Sequence, residues 1–139
     1  MAFGGMSALG IVLAAVAGFL FGGVWYGIFS RQWMAATGIK ESDVSGGWQK
    51  NAVPFIIAFV GLLIMATVLA GIIGHLGPGQ VTVRNGIISG AFCWVGFVVT
   101  TLTVNNAFQG ARTSLTFIDG GHWLGVLLIQ GAIIGLFGV

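Results

Sequence analysis

The chain has 139 residues, of which 57% are hydrophobic and only 6% charged, and its mean hydropathy is +1.04. A soluble domain carries about a quarter of charged residues, so this composition excludes a water-soluble fold and predicts a protein embedded in a lipid bilayer. The net charge of +2 is too small to indicate a nucleic-acid partner. The single cysteine (Cys93) and the two distant histidines (His75, His122) have no metal-ligand spacing, so no metal and no cofactor are expected.

Crossing a bilayer as a helix takes about 20 residues, and three charge-free stretches have that length while a fourth, near the end of the sequence, is shorter. The first has no basic residue before it and stays apolar through Phe29, so we expect a retained helix rather than a cleaved signal peptide. None of the stretches shows the short alternating pattern of barrel strands. The predicted fold is all-α, an integral membrane four-transmembrane-helix bundle in one domain (1–139). The expected spans are approximately 8–30, 53–75, 86–108 and 121–139.

The connections between these spans carry their own signals. Loop 1 (RQWMAATGIKESDVSGGWQK) mixes apolar and polar residues, which predicts a short segment lying in the membrane interface. Its apolar residues are Trp33, Met34, Ile39, Val44 and Trp48. Pro54 is expected in the first turn of the second helix, where its missing N–H costs nothing. HLGPGQ, after that helix, predicts a tight connection.

The basic residues predict the orientation of the chain. Loop 1 holds Arg31, Lys40 and Lys50, the third loop adds Arg112, and the opposite side has only Arg84. Because basic residues concentrate in cytoplasmic loops, we expect loops 1 and 3 in the cytoplasm and both termini outside.

Small residues recur at four-residue spacing in the helices, which lets backbones pack closely in lipid. The predicted packing positions are Gly10, Ala14, Gly18 and Gly22 in the first helix and Gly131 and Gly135 in the fourth. They could pack the bundle internally or contact other subunits. Since four helices cannot easily bury a small-residue face on each of them, we expect a homo-oligomer or a complex with another membrane protein.

Large aromatic residues fall at the predicted membrane boundaries. They are Trp25, Tyr26, Trp33 and Trp123. Rings of this kind are typical of the aromatic belt at the headgroups, and that is the interpretation we favour for them.

A polar segment surrounds the predicted third loop. Its candidate path residues are Thr101, Asn105, Asn106, Gln109, Arg112, Asp119, His122 and Gln130. Thr101, Asn105 and Gln109 share one helix face. His122 and Gln130 align on the fourth helix, and we expect Gln130 opposite Thr101. Such a stripe is either interhelical hydrogen bonding or a vestibule for a small polar solute or ion.

Asp119 is expected as the N-cap of the fourth helix, with a hydrogen-bonded pair to His122 as a second possibility. No charged side chain is expected within the four helix cores, unlike the buried carboxylate of small proton-coupled exporters. Ser114 lies in no nucleophile elbow. We therefore expect no catalytic residue and no enzyme activity.

Two segments carry a family resemblance: WYGIFSRQWMAATGI, and GFVVTTLTVNNAFQGARTSLTFIDGGHWLGVLLIQGAIIG. With Trp25-Tyr26, Trp33, Asn105 and His122, they resemble the family of domain of unknown function 1761. The resemblance implies a small four-helix protein of the bacterial inner membrane and no established activity. Gly22-Gly23, Tyr26 and the threonine-rich GFVVTTLT are also similar to small fluoride channels, which have an arginine where this chain has Trp25.

Two functional hypotheses follow from these patterns. The first is a homo-oligomeric transporter or channel for a small polar solute or ion, with the polar stripe as its path. The alternative is a non-catalytic accessory or scaffold subunit that docks a larger membrane complex through its glycine-rich helix faces.

Overall fold

The computed structural model describes residues 5–44 and 47–138, with side chains for 5–43 and 52–138. The described residues contain no strand, and four helical segments are long and apolar enough to cross a membrane, which confirms the predicted all-α membrane bundle. The helices are α1 (Ala8–Ile28), α2 (Ser30–Thr37), α3 (Glu41–Val44), α4 (Gly47–Gly74), α5 (Val83–Cys93), α6 (Val99–Phe108) and α7 (Thr113–Phe137). A π-helical turn, Trp94–Val98, joins α5 and α6 into one continuous third span.

Local sequence accounts for several helix ends. The Ser7 hydroxyl caps α1 by accepting a hydrogen bond from the Gly10 N–H at 3.0 Å, and Thr82 caps α5 in the same way. After α4 the chain turns at Gly77 and Gly79, whose φ angles of 109° and 75° are easily adopted only by glycine.

The expected start of the fourth span, near residue 121, is wrong, because α7 already begins at Thr113. The segment TSLTFID contains polar residues but no helix breaker. Its polarity alone therefore led to the wrong predicted start for the fourth span. The chain turns instead at Gly110, which has a φ of 66°. Residues 113–120 are therefore the first two turns of α7 rather than a loop.

The expectation for Pro54 is also wrong. The helix α4 begins at Gly47, so Pro54 lies inside it rather than in its first turn. A proline at an interior position has no N–H to donate to the carbonyl one turn earlier, which weakens the helix there.

The centre of the bundle is α7. In its most apolar 18-residue window 44% of the residues are buried, against 6% in the third span. The backbones of α5 and α7 pack directly on each other, since a Cβ atom added at Gly131 would collide with the Gly86 carbonyl, and one at Gly135 with the Thr82 carbonyl. These two glycines of the fourth span therefore pack within the chain.

The small-residue face of α1 also points into the bundle. Gly10, Ala14 and Gly18 are buried, and a Cβ at Gly18 would contact Leu62 of α4 and Val126 of α7. The internal-packing interpretation therefore describes this face, and it presents no free glycine surface between Gly10 and Gly18.

The described residues of α4 are more deeply buried in its second half, while Phe55 and Phe59 of the first half make edge-to-face contacts with the Phe19 ring of α1. The buried residues of α4 begin at Leu62 and continue with Ala66, Leu69, Ala70, Gly71 and Ile73. Residues 53–58, by contrast, are all exposed. The described part of the first half of α4 is thus less buried than the second half, and a cleft lies between α1, α4 and α7.

Loop 1 forms the short helix α2, which ends at Gly38 with a φ of 77°, followed by α3. This agrees with the short segment predicted there. Trp33 and Met34 of α2 are half-buried and face the cleft. The side chains of Val44, Trp48 and Lys50 lie outside the described residues.

Candidate functional site

The cleft between α1, α4 and α7 has a volume of about 830 Å³. Its walls include Gly18 and Tyr26 of α1, Leu62 of α4 and His122 of α7, while α2 and Glu41 border it at the loop 1 end. Gly18 lies ten residues before the end of α1, which at 1.5 Å per residue places the floor of the cleft about 15 Å inside the span. The cleft therefore extends from the loop 1 end toward the middle of the bundle.

A tyrosine–aspartate pair lies in the wall of the cleft. The Tyr26 hydroxyl of α1 donates a hydrogen bond of 2.7 Å to Asp119 Oδ1 of α7. Asp119 is in the second turn of α7, so it is not the N-cap of this helix. The expectation that the spans contain no charged side chain is wrong for the same reason: α7 begins earlier than expected, and Asp119 falls within it.

Two tryptophans fix the backbone on either side of Asp119. The Trp25 indole N–H donates to the Ile118 carbonyl at 3.0 Å, and the Trp94 indole N–H donates to the Gly120 carbonyl at 2.8 Å. The Trp25 ring lies over Gly121, where a Cβ would come within 2.8 Å of it. Together with Tyr26, these bonds hold this turn of α7 between α1 and the third span.

The four aromatic residues assigned to the membrane interface also have contacts inside the protein. Trp25 and Tyr26 bond to α7 inside the chain, while Trp33 and Trp123 line the cleft. Each of these rings has a partner within the protein and helps to position the site, while the belt assignment stays a prediction. Trp94 was missed as a site residue, although a tryptophan inside a π-helical turn is a feature often found at functional positions.

His122 lies beside this pair and is only 7% exposed. Its ring stacks on Phe21 and lies 4.9 Å from the Tyr26 ring centroid, and its Nε2 faces Gly22, where a Cβ would be 2.9 Å away. Its Nδ1 is buried without a hydrogen-bond partner in the described part of the chain. The Asp119–His122 pair considered from the sequence is therefore not formed, because Asp119 is turned toward Tyr26.

Gln130 lies behind the floor of the cleft and is fully buried. Its Nε2 donates a 3.1 Å hydrogen bond to the Leu62 carbonyl of α4, while its Oε1 has no partner among the described residues. A Cβ at Gly18 would lie 3.5 Å from its amide nitrogen. His122 and Gln130 thus share the side of α7 that faces α1 and α4.

Within the described residues, the third and fourth spans do not bring the expected path residues together. Thr101, Asn105 and Gln109 are exposed, and the Thr101 hydroxyl donates to the Phe97 carbonyl of its own helix at 2.6 Å. Since α7 begins at Thr113, Gln130 lies about 25 Å from its start, whereas Thr101 lies only about 11 Å from the end of α6. The two side chains are at different depths and cannot face each other.

The remaining predicted residues lie near the third loop. Asn106 is 8% exposed and donates a 3.0 Å hydrogen bond to the Thr116 hydroxyl, so it joins α6 to α7 as an interhelical hydrogen bond. Arg112 is exposed at the residue before α7 and makes no side-chain capping bond. Neither residue borders the cleft.

The site is suited to binding. Ligand pockets are mostly apolar with a few fixed polar groups, and ionisable residues within a membrane span usually mark a functional position. Asp119, His122 and the Tyr26 hydroxyl are such groups, in a wall that is otherwise mostly glycine, aromatic and aliphatic residues, with Ser30 and Glu41 toward the loop 1 end. Within the described residues, no group of three His, Cys, Asp or Glu side chains is placed to hold a metal ion.

Comparison with known proteins gives one match. A family model described as "Protein of unknown function (DUF1761)" matches residues 9–135, which is most of the chain and includes every described residue that lines the cleft. Neither the curated proteins nor the solved structures contain a significant match. The chain is therefore a membrane protein that belongs to the DUF1761 family.

Proposed function

We propose that this protein is a small membrane transporter whose substrate site is the cleft between α1, α4 and α7. The observation that carries the proposal is a cleft of about 830 Å³ within the spans, with the Tyr26–Asp119 pair and the nearly buried His122 in its wall. Buried polar groups in a membrane span are costly unless they serve binding or packing. Here they border open space, which favours binding.

The proposed path lies between α7, α1 and α4, whereas the sequence predicted a path between the third and fourth spans. The polar side chains of α7 face α1 and α4, and the cleft ends near Gly18 and Leu62, where Gln130 is packed. Gln130 Oε1 has no partner in the described chain, so a polar group lies just beyond the floor. A solute bound in the cleft would need α4 to move relative to α1 and α7 to pass further. Such a movement would have to break the edge-to-face contacts that Phe55 and Phe59 of α4 make with the Phe19 ring of α1.

Location and assembly complete the proposal. We place the protein in the bacterial inner membrane with loops 1 and 3 in the cytoplasm, because Arg31, Lys40 and Arg112 lie in these loops. The cleft then opens toward the cytoplasm. The sparsely buried third span is the surface we assign to contact between copies in a homo-oligomer.

The scaffold alternative has weaker support. It relied on glycine faces left free for docking, whereas Gly10, Gly18, Gly131 and Gly135 all pack within the chain. A stoichiometric second protein that co-purifies in mild detergent would restore that alternative.

Filling the cleft tests the transport proposal. Ala58 is exposed and lines the cleft, so Ala58→Trp would occupy it without displacing core side chains. Ala107→Trp is the matched control, since Ala107 is equally exposed and lies outside the cleft. Uptake into proteoliposomes would be measured for a panel of cationic, anionic and neutral small solutes. We expect at least one solute to enter faster than in protein-free liposomes, and Ala58→Trp alone to slow it about tenfold, a loss of about 1.4 kcal/mol in binding.

The result that overturns the proposal is equally specific. If no solute in the panel enters faster than in protein-free liposomes, the protein is not a transporter of small solutes. If Ala58→Trp and Ala107→Trp reduce uptake equally, the cleft is not the site.

A further inference from the structure

We propose that the cleft binds a small organic cation, an ammonium group carrying apolar substituents. This inference rests on the proposed function and specifies its substrate class. It combines three independent features of the lining: its charge, its aromatic rings and an unpartnered polar atom.

The charge in the cleft is of one sign. The whole chain has only three acidic residues, and two of them, Glu41 and Asp119, line this cleft. No Lys or Arg is among the described residues that line it, although the chain has five. Low-dielectric walls concentrate the field of such charges, which attracts cations and repels anions.

The walls are aromatic on several sides. Phe19 and Tyr26 of α1, Trp33 of α2, Phe55 of α4 and Trp123 of α7 all line the cleft. The Tyr26 and Trp33 rings are 6.3 Å apart in an edge-to-face arrangement, so the two rings offer faces in different directions. Aromatic faces attract ammonium groups, with tryptophan the strongest. A metal ion such as Na⁺ would lose its water shell against these walls with few oxygen ligands in return, so an ammonium with apolar substituents fits better.

His122 adds a polar atom to the same wall. It is more than nine-tenths buried, and its Nδ1 has no partner in the described chain. Leaving a buried polar atom unpaired is unfavourable, and a bound hydrogen-bond donor would offset this cost. A neutral imidazole nitrogen accepts a hydrogen bond, and a hydroxyl or N–H group on the bound cation is a suitable donor once a shift of the buried ring brings Nδ1 to the cleft.

The test compares a cation with an uncharged ligand of the same shape and adds a second, larger cation. Binding to the full-length protein in detergent would be followed by tryptophan fluorescence at about pH 8, where histidine is uncharged. The probes are choline, its uncharged isostere dimethylbutanol (with a tert-butyl group in place of trimethylammonium) and the larger cation tetrapropylammonium. We expect choline to bind about tenfold more tightly than the alcohol, or about 1.4 kcal/mol.

Variants identify the charge responsible. Asp119→Asn keeps an oxygen that can accept the Tyr26 hydrogen bond while removing the charge, so we expect about tenfold weaker cation binding and unchanged alcohol binding. Asp43→Asn is the matched control: Asp43 is exposed, lies outside the cleft and accepts a hydrogen bond from the Lys40 N–H, which an asparagine oxygen can also accept. If Asp119→Asn does not fold by circular dichroism, Glu41→Gln at the exposed end of the cleft tests the same charge dependence.

The possible failures are distinguishable. Equal affinity for the cations and the alcohol, or cation binding that Asp119→Asn and Glu41→Gln leave unchanged, would overturn the cation assignment. If proteoliposomes nevertheless take up a neutral or anionic solute in a manner blocked by Ala58→Trp, the transport proposal stands and only its substrate class is wrong. Absence of both binding and uptake would overturn both.

Discussion

The close contact between α5 and α7 gives a sharp prediction for Gly131→Ala. A Cβ at residue 131 would collide with the backbone carbonyl of Gly86, and a backbone atom has no rotamer through which to move away. The third span must therefore separate from α7. Overpacking of this kind costs up to about 3 kcal/mol. Alanine is favoured over glycine in a helix by about 1 kcal/mol, so the expected net loss is about 2 kcal/mol.

Gly61→Ala is the matched control for this variant. Gly61 lies in the span formed by α4 and has no atom within 4 Å of an added Cβ. Only the helix preference acts there, so we expect Gly61→Ala to be neutral or stabilising by up to about 1 kcal/mol. The two variants make the same chemical change in opposite packing environments.

The assay is thermal unfolding in detergent, followed by circular dichroism. A loss of about 2 kcal/mol lowers the Tm of a domain of this size by roughly 8 °C. Cys93 is the only cysteine and lies in α5, so its rate of maleimide labelling reports independently on separation of the third span. We expect faster labelling in Gly131→Ala than in the wild type. A Tm for Gly131→Ala at or above that of Gly61→Ala would refute the direct backbone packing of α5 on α7.

Two further predictions concern the buried amides. Gln130→Leu removes both the hydrogen bond to Leu62 and the unpartnered Oε1, so we expect its free energy of unfolding to lie within about 1 kcal/mol of the wild type. Gln130→Ala leaves a cavity, so we expect it to lose about 2 kcal/mol or more. Equal losses for the two variants in thermal unfolding would contradict this. Asn106→Ala removes the bond to Thr116 and should cost about 0.6 kcal/mol, while Asn105→Ala, at an exposed neighbour, should cost nothing measurable in the same assay. The reverse order would show that Asn105, not Asn106, joins the helices.

Local features of the sequence were sufficient for the architecture. Apolar runs of about 20 residues in a nearly uncharged chain have no stable arrangement other than spanning helices, because lipid offers no hydrogen-bond partner to the backbone. The four-residue spacing of glycines likewise indicated close packing, and Gly131 and Gly135 lie against the carbonyls of Gly86 and Thr82. These properties depend on composition and periodicity, which a single sequence contains.

The candidate site depended on one helix boundary and on the pairing of helices, neither of which periodicity reveals. The start of α7 at Thr113 rather than near residue 121 moved Asp119 into the span and moved Gln130 away from the depth of Thr101. Spacing did place His122 and Gln130 on one face of α7, but only the tertiary structure decided that this face meets α1 and α4. Helix pairing follows from close contacts summed over whole faces, such as Gly86 on Gly131. Those contacts directed α5 to one side of α7 and left the polar side chains to the other.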